Sequence, residues 1–102
     1  MAFQDRSNAL QALEAEFHTE RASSLRKLEL KMEALLAELA QVEAQLKSRR
    51  DKDRAAQIAR HQSLRKDAEY QRWCFIVQRE ACGFFLHDDV DRYYPLPPPW
   101  RE

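Results

Sequence analysis

Apolar residues recur every three or four positions through the first half of this chain. A short series holds Leu10, Leu13 and Phe17. A longer one runs Leu25, Leu28, Met32, Leu35, Leu39, Val42, Leu46. Seven apolar residues in a row at that spacing form one stripe along an α-helix, the seam of a coiled-coil-like element. Glu20, Arg21 and Ser24 interrupt the stripe between the two series. With Ser7 or Asp5 as N-cap, the pattern predicts a helix over 7–48, roughly 60 Å long.

Carried past Leu46, the same phase lands on Arg49, Asp53, Ala56, Arg60, Ser63 and Asp67, of which only Ala56 is apolar. The stripe therefore ends. The polar stretch SRRDKD (48–53) reads as a turn over 49–53, and Asp51 or Asp53 can cap a second helix over 54–83. No Gly or Pro enforces that turn, so an unbroken rod is the alternative to a hairpin. Folding near residue 50 sets Val42 against Ala59, Leu35 and Leu36 against Leu64 and Arg65, Leu28 against Trp73, and Leu25 against Ile76.

The second helix opens with small or isolated apolar residues (Ala55, Ile58, Ala59, Leu64, Ala68). It becomes apolar on several faces in WCFIV (73–77), which requires cover on more than one side. Gly83, the only glycine, is its natural stop, since only Gly enters the left-handed cap without penalty. Asp88 can cap one short turn before Pro95. Segment 84–102 then reads as a lid with a Pro-rich tail. It is expected to lay Phe84, Phe85, Leu86 and Val90 over Leu10, Leu13 and Phe17, with Tyr94 or Trp100 against the small patch Ala22–Ser24.

Composition agrees with an all-α single domain over residues 1–102: a third of the residues are charged, and no Pro precedes residue 95. No apolar run approaches a membrane span, and MAFQDRSNAL lacks the apolar core of a secretory signal, so a cytoplasmic location with free thiols is expected. The zero net charge conceals a basic middle. Residues 47–66 carry eight Lys/Arg and two Asp/Glu, between flanks of net −3 each. This makes Lys47, Arg49, Arg50, Lys52, Arg54 and Arg60 the candidate contacts for a polyanion or nucleic acid. No aromatic residue lies among them to stack a base, and Asp51 and Asp53 dilute the charge.

Catalytic and metal chemistry find little support. Cys82 falls near a helix C-terminus, where the dipole disfavours a thiolate, so Cys82 with His87 makes a poor nucleophilic pair. Cys74 and Cys82 are about 12 Å apart on one helix, too far for a disulfide. HDDVD (87–91) lacks the Gly and terminal Glu of a calcium loop. His18 and His61 have no ligand-like companions and read as surface or boundary residues. PLPPPW (95–100) tends to polyproline II and lacks the arginine spacing of common Pro-rich ligands, so it reads as a tail laid along its own helices. No enzyme activity and no cofactor are expected.

Trp73, VQREACG (77–83), HDD (87–89) and YYPLP (93–97) resemble short bacterial helical proteins grouped as a family of unknown function. The resemblance covers about residues 70–97 and implies a small all-helical bacterial protein, with no catalytic or binding residue to carry over. It suggests that VQREACG is a structural junction whose Gln78, Arg79 and Glu80 contact the tail, Arg79 pairing with Asp88 or Asp89.

The sequence thus predicts an antiparallel helical hairpin with a short third helical turn and the tail folded back. WCFIV with the off-seam Leu30 and Leu36 exceeds what one hairpin can bury. A homodimeric four-helix bundle is therefore expected, with Leu30, Leu36, Trp73, Phe75, Ile76 and Val77 at the dimer or partner interface. The expected role is a non-enzymatic interaction or scaffold protein working by helix packing; polyanion binding through the tip is the alternative.

Overall fold

The computed structural model describes residues 2–48, 50 and 52–102, with side chains from Arg6 onward. Helix α1 spans Ala2–Ser48, α2 spans Arg54–Ala81 and α3 spans Asp88–Tyr93. No strand occurs among the described residues. The two long helices pack against each other as an antiparallel hairpin, in a molecule 75 × 22 × 16 Å. No helix of the described residues is long and apolar enough to cross a membrane.

All seven residues of the strict stripe enter the interhelical core. Leu39, Val42 and Leu46 join Leu64 in a cluster near the tip, with Leu35, Ile58 and Trp100 against it. Met32 joins Phe75 and Val90 in a second cluster, with Leu25, Leu28, Leu36, Ile76 and Tyr94 around it. Each fully buried large side chain stabilises by about 1.5–3 kcal/mol, so these two clusters carry the hairpin.

Two expected boundaries move, the start of α1 and the end of α2, while α1 ends at Ser48 and α2 begins at Arg54 as expected. Helix α1 begins at Ala2, which puts Asp5 and Ser7 inside it and not at its cap. Asp51 and Arg49 lie outside the described residues, and Asp53 occupies the N-cap position of α2. Helix α2 ends at Ala81, two residues before the glycine. The Gly83 N–H donates to Glu80 O and the Phe84 N–H to Arg79 O, at 3.0 and 2.9 Å. Those two bonds make a Schellman cap with Gly83 at φ +92°, the left-handed region that favours glycine.

The seam of α2 also differs from expectation. It is built from Ile58, His61, Leu64, Ala68 and Phe75, so a histidine takes a place in the core. His61 is fully buried, not a surface or boundary residue. Its Nε2 lies 2.9 Å from Glu43 Oε1, and its ring meets Trp100 edge-on at 5.9 Å. Phe75 takes the inward place expected of Trp73, which stays 60% exposed. The helical phase decides this, because 61, 64, 68 and 75 share a face with the seam and 73 does not.

The C-terminal segment folds back, but along a different path from the expected lid. After Gly83 it turns toward the hairpin tip and runs along the interhelical groove as a strap. Val90 is buried in the second cluster, Tyr94 packs edge-on against Phe75 at 6.3 Å, and Trp100 reaches the first cluster. Tyr94 and Trp100 therefore do not sit on Ala22–Ser24. Phe84, Phe85 and Leu86 remain 53%, 71% and 80% exposed, and Leu10, Leu13 and Phe17 are left uncovered.

Candidate interaction site

The strap is held by four arginines on α2. Arg79 donates to Leu86 O and to Asp89 Oδ1, both at 3.0 Å. Arg72 donates to Tyr94 O at 3.1 Å and pairs with Asp91. Arg65 donates to Pro97 O at 2.8 Å. Arg54 holds both carboxylate oxygens of Glu102 and also donates to Leu46 O at 2.7 Å, closing the tip. Their spacings of 11, 7 and 7 residues keep all four on one stripe of α2 beside the seam.

The chemistry of the strap explains why arginines hold it. All five residues from 95 to 99 are proline or leucine, and Pro95, Pro97, Pro98 and Pro99 have no N–H. An extended Pro-rich segment thus presents unmet carbonyls and few donors. Arginine offers five N–H donors and no acceptor, so it matches that need. Among the junction residues, Arg79 pairs with Asp89, and Glu80 accepts or shares a bond with His87 Nε2 at 3.1 Å. Arg79 also lies over the rings of Phe75 and Phe84, at 5.6 and 5.7 Å, which ties the helix end to the core.

Two titrating groups record the docking. Burial, followed by the bond from its hydroxyl to Glu33 Oε1 at 2.9 Å, pushes Tyr94 up to about 12. The hydrogen bond from Arg54 holds Glu102 below the usual carboxylate range. On the outer face, a bond to Cys74 raises Tyr70 above the ordinary phenol value.

Of the six predicted interface residues, the hairpin and strap absorb three. Phe75 is buried, and Leu36 and Ile76 are half-buried against the second cluster. The hairpin core covers Phe75 fully and Leu36 and Ile76 in part. Leu30, Trp73 and Val77 stay exposed at 48%, 60% and 45%. Trp73 stacks on Tyr70, with ring centroids 6.2 Å apart, beside an open groove of about 550 Å³ that Ile76 and Leu96 also line.

The predicted polyanion contacts are only partly available. Lys47, Arg50 and Lys52 are exposed at the tip, and Arg60 is exposed beside Glu38 at 3.9 Å. Arg54 is committed to Glu102 and Leu46 O, because its side chain turns into the strap and not into solvent. Arg49 lies outside the described residues. Among those described, no group of three or more metal-ligating side chains occurs. Both thiols are free, and Cys82 sits at the C-cap of α2.

Sequence reasoning missed the largest uncovered feature, at the other end of the hairpin. From Arg6 to Ser24 every residue of α1 is exposed, including Leu10 (59%), Leu13 (47%) and Phe17 (52%). A smaller groove of about 310 Å³ lies at the base of this overhang, between Leu25, Cys82 and Phe84. The signal was present in the 3–4 spacing of the stripe. It was assigned to the wrong cover, because the direction of the strap was unknown.

Compared with protein-family models, curated proteins and solved structures, the chain has no match.

Proposed function

We propose that this chain is a non-enzymatic helical interaction protein, acting by helix packing with itself or a partner. The observation that carries this is the overhang of α1, where Leu10, Leu13 and Phe17 stand exposed at helical spacing on one face. Monomeric soluble proteins seldom leave such contiguous apolar surface without using it. Trp73, Val77 and Leu30 add further exposed apolar side chains on the hairpin itself.

The test is the mass of the full chain in solution over a wide concentration range, at low and high salt. Apolar helix packing should give association that persists as salt rises, because it releases no counterions. A single chain at every concentration that also takes up no amphipathic helical peptide would overturn the reading.

A second reading rests on the exposed Lys47, Arg50 and Lys52 at the tip, with Arg60 beside them. Here the tip binds a polyanion through phosphate contacts. Anisotropy of a labelled oligonucleotide separates the two readings. Phosphate-driven binding would fall steeply between about 50 and 200 mM salt, and Lys52→Ala with Arg50→Ala would weaken it.

A further inference from the structure

We propose that the overhang of α1 docks on the same segment of a second copy, antiparallel, about a two-fold axis near Leu13. The inference rests on the helix-packing reading above and gives it a face, an orientation and an occupant. Leu10, Leu13 and Phe17 form a separate exposed stripe on α1, one residue out of phase with the hairpin seam, whose own phase passes through His18 and Arg21 beside Cys82 and Phe84. Helix α2 stops at Ala81, and a second helix lying beside the overhang covers the stripe that α2 does not reach.

Symmetry and charge select a second copy as that helix. The exposed triplet Leu10, Leu13, Phe17 is itself centred near Leu13. A two-fold axis there lays one stripe on the other, with Leu10 of each copy beside Phe17 of the other and the two Leu13 side chains at the axis. The ends match as well. Each overhang, about 34 Å long, reaches the base of its neighbour, where Phe84 and Phe85 stand exposed beside the groove lined by Leu25 and Cys82.

Charge selects the orientation. In a parallel, in-register pair, Glu14, Glu16 and Glu20 of one helix would face the same carboxylates of the other. In the antiparallel pair facing positions sum to about 26, which brings Arg6 beside the second copy's Glu20 twice over. Glu14 and Glu16 then face Ala12 and Leu10, and no carboxylate meets another. The basic tip of another copy would be an electrostatic match for this end, but it carries no apolar stripe to fill the uncovered one.

The full chain tests this directly. Light scattering should report a dimer near twice 12.1 kDa. Leu13→Glu should return it to one chain, with the helical signal of the hairpin kept, while Trp73→Glu should leave the dimer intact. Spin labels in a chain with Cys74→Ser and Cys82→Ser add the orientation. Labels at position 13 should lie close together across the dimer, and labels at position 23 should lie about 30 Å apart.

A dimer that survives Leu13→Glu and is broken by Trp73→Glu would overturn the proposal while leaving the helix-packing reading in place. Short distances at both labelled positions would overturn the antiparallel arrangement. A chain that stays single but binds a synthetic Leu/Lys amphipathic helix at the overhang would replace the second copy with a basic helical partner. A chain that does neither would remove both the proposal and the reading beneath it.

Discussion

Two segments extend from the same hairpin, and they have opposite fates. The N-terminal overhang of α1 is exposed at every residue from Arg6 to Ser24. The C-terminal strap after Gly83 buries Val90, packs Tyr94 and Trp100 into the groove, and is gripped by four arginines. Both segments carry large apolar residues, and Phe84, Phe85 and Leu86 of the strap stay as exposed as Leu10, Leu13 and Phe17 of the overhang, so apolar character alone does not decide what is fastened. Backbone satisfaction does. A helix closes its own N–H to C=O bonds and can project into water without help. A Pro-rich segment cannot, and its carbonyls need donors from elsewhere. The strap is thus fastened by what it lacks, and the overhang is left free by what it already has.

The sharpest way to break this comparison is to delete each segment in turn. Removal of 84–102 strips Val90, Tyr94 and Trp100 from the core, at about 1.5–3 kcal/mol for each well-buried side chain. We expect it to lower Tm by more than about 15 °C. Removal of residues 2–20, assayed at a concentration where the chain is single, should change hairpin stability by no more than about 0.5 kcal/mol. Equal losses from both deletions would mean that the overhang supports the hairpin in a way its exposure does not suggest.

Single side chains refine the same contrast. Trp100 reaches His61 and the Leu39–Val42–Leu46 cluster, and Trp100→Ala should cost about 2–4 kcal/mol in a denaturant titration. Phe17 is also a large ring at helical spacing, yet Phe17→Ala on the single chain should fall within about 0.5 kcal/mol. The arginines allow a parallel pair at smaller scale. Arg65→Gln removes the donor to Pro97 O and should cost about 1 kcal/mol. Arg26, exposed on α1 beside Glu29, should be replaceable by Gln with almost no effect.

How much of this was legible depends on which physical effect governs each part. The α1 stripe was readable to the residue, because seven apolar side chains at strict spacing admit one helical face. The α2 seam was legible at Ile58, Leu64 and Ala68 but not at His61, which hydropathy does not mark, nor within WCFIV, which holds more apolar residues than the seam can take. Only the phase separates Phe75, which is buried, from Trp73, which is not. The strap's direction was beyond hydropathy altogether, since arginine-to-carbonyl bonds over residues 65–97 and 72–94 set it. Its trace in the sequence is the spacing of Arg54, Arg65, Arg72 and Arg79 along one face of the second helix. Of these, only Arg79 was expected to meet the tail, through Asp88 or Asp89, and it meets Asp89.

The smallest expected effects come from pH, and they divide the strap into two halves. Tyr94 sits near 12 because its burial and its bond to Glu33 favour the neutral phenol. A folded value raised above the ordinary 10.0 means that this contribution is whole below pH 10 and is lost as pH rises toward 12. Tyr94→Phe should remove that alkaline step. Glu102 behaves in the opposite sense. Its folded value lies below the ordinary 4.5, so its contribution is present above that value and disappears as pH falls through the lower one. Since Glu102 is solvent-exposed, the acid change should be a local release of the strap's end, seen as a shift in Trp100 fluorescence with the far-UV signal unchanged. Arg54→Gln should abolish the acid shift and leave the alkaline step of Tyr94 where it was. An acid shift that persists in Arg54→Gln would assign it to another carboxylate and separate the tip from the strap.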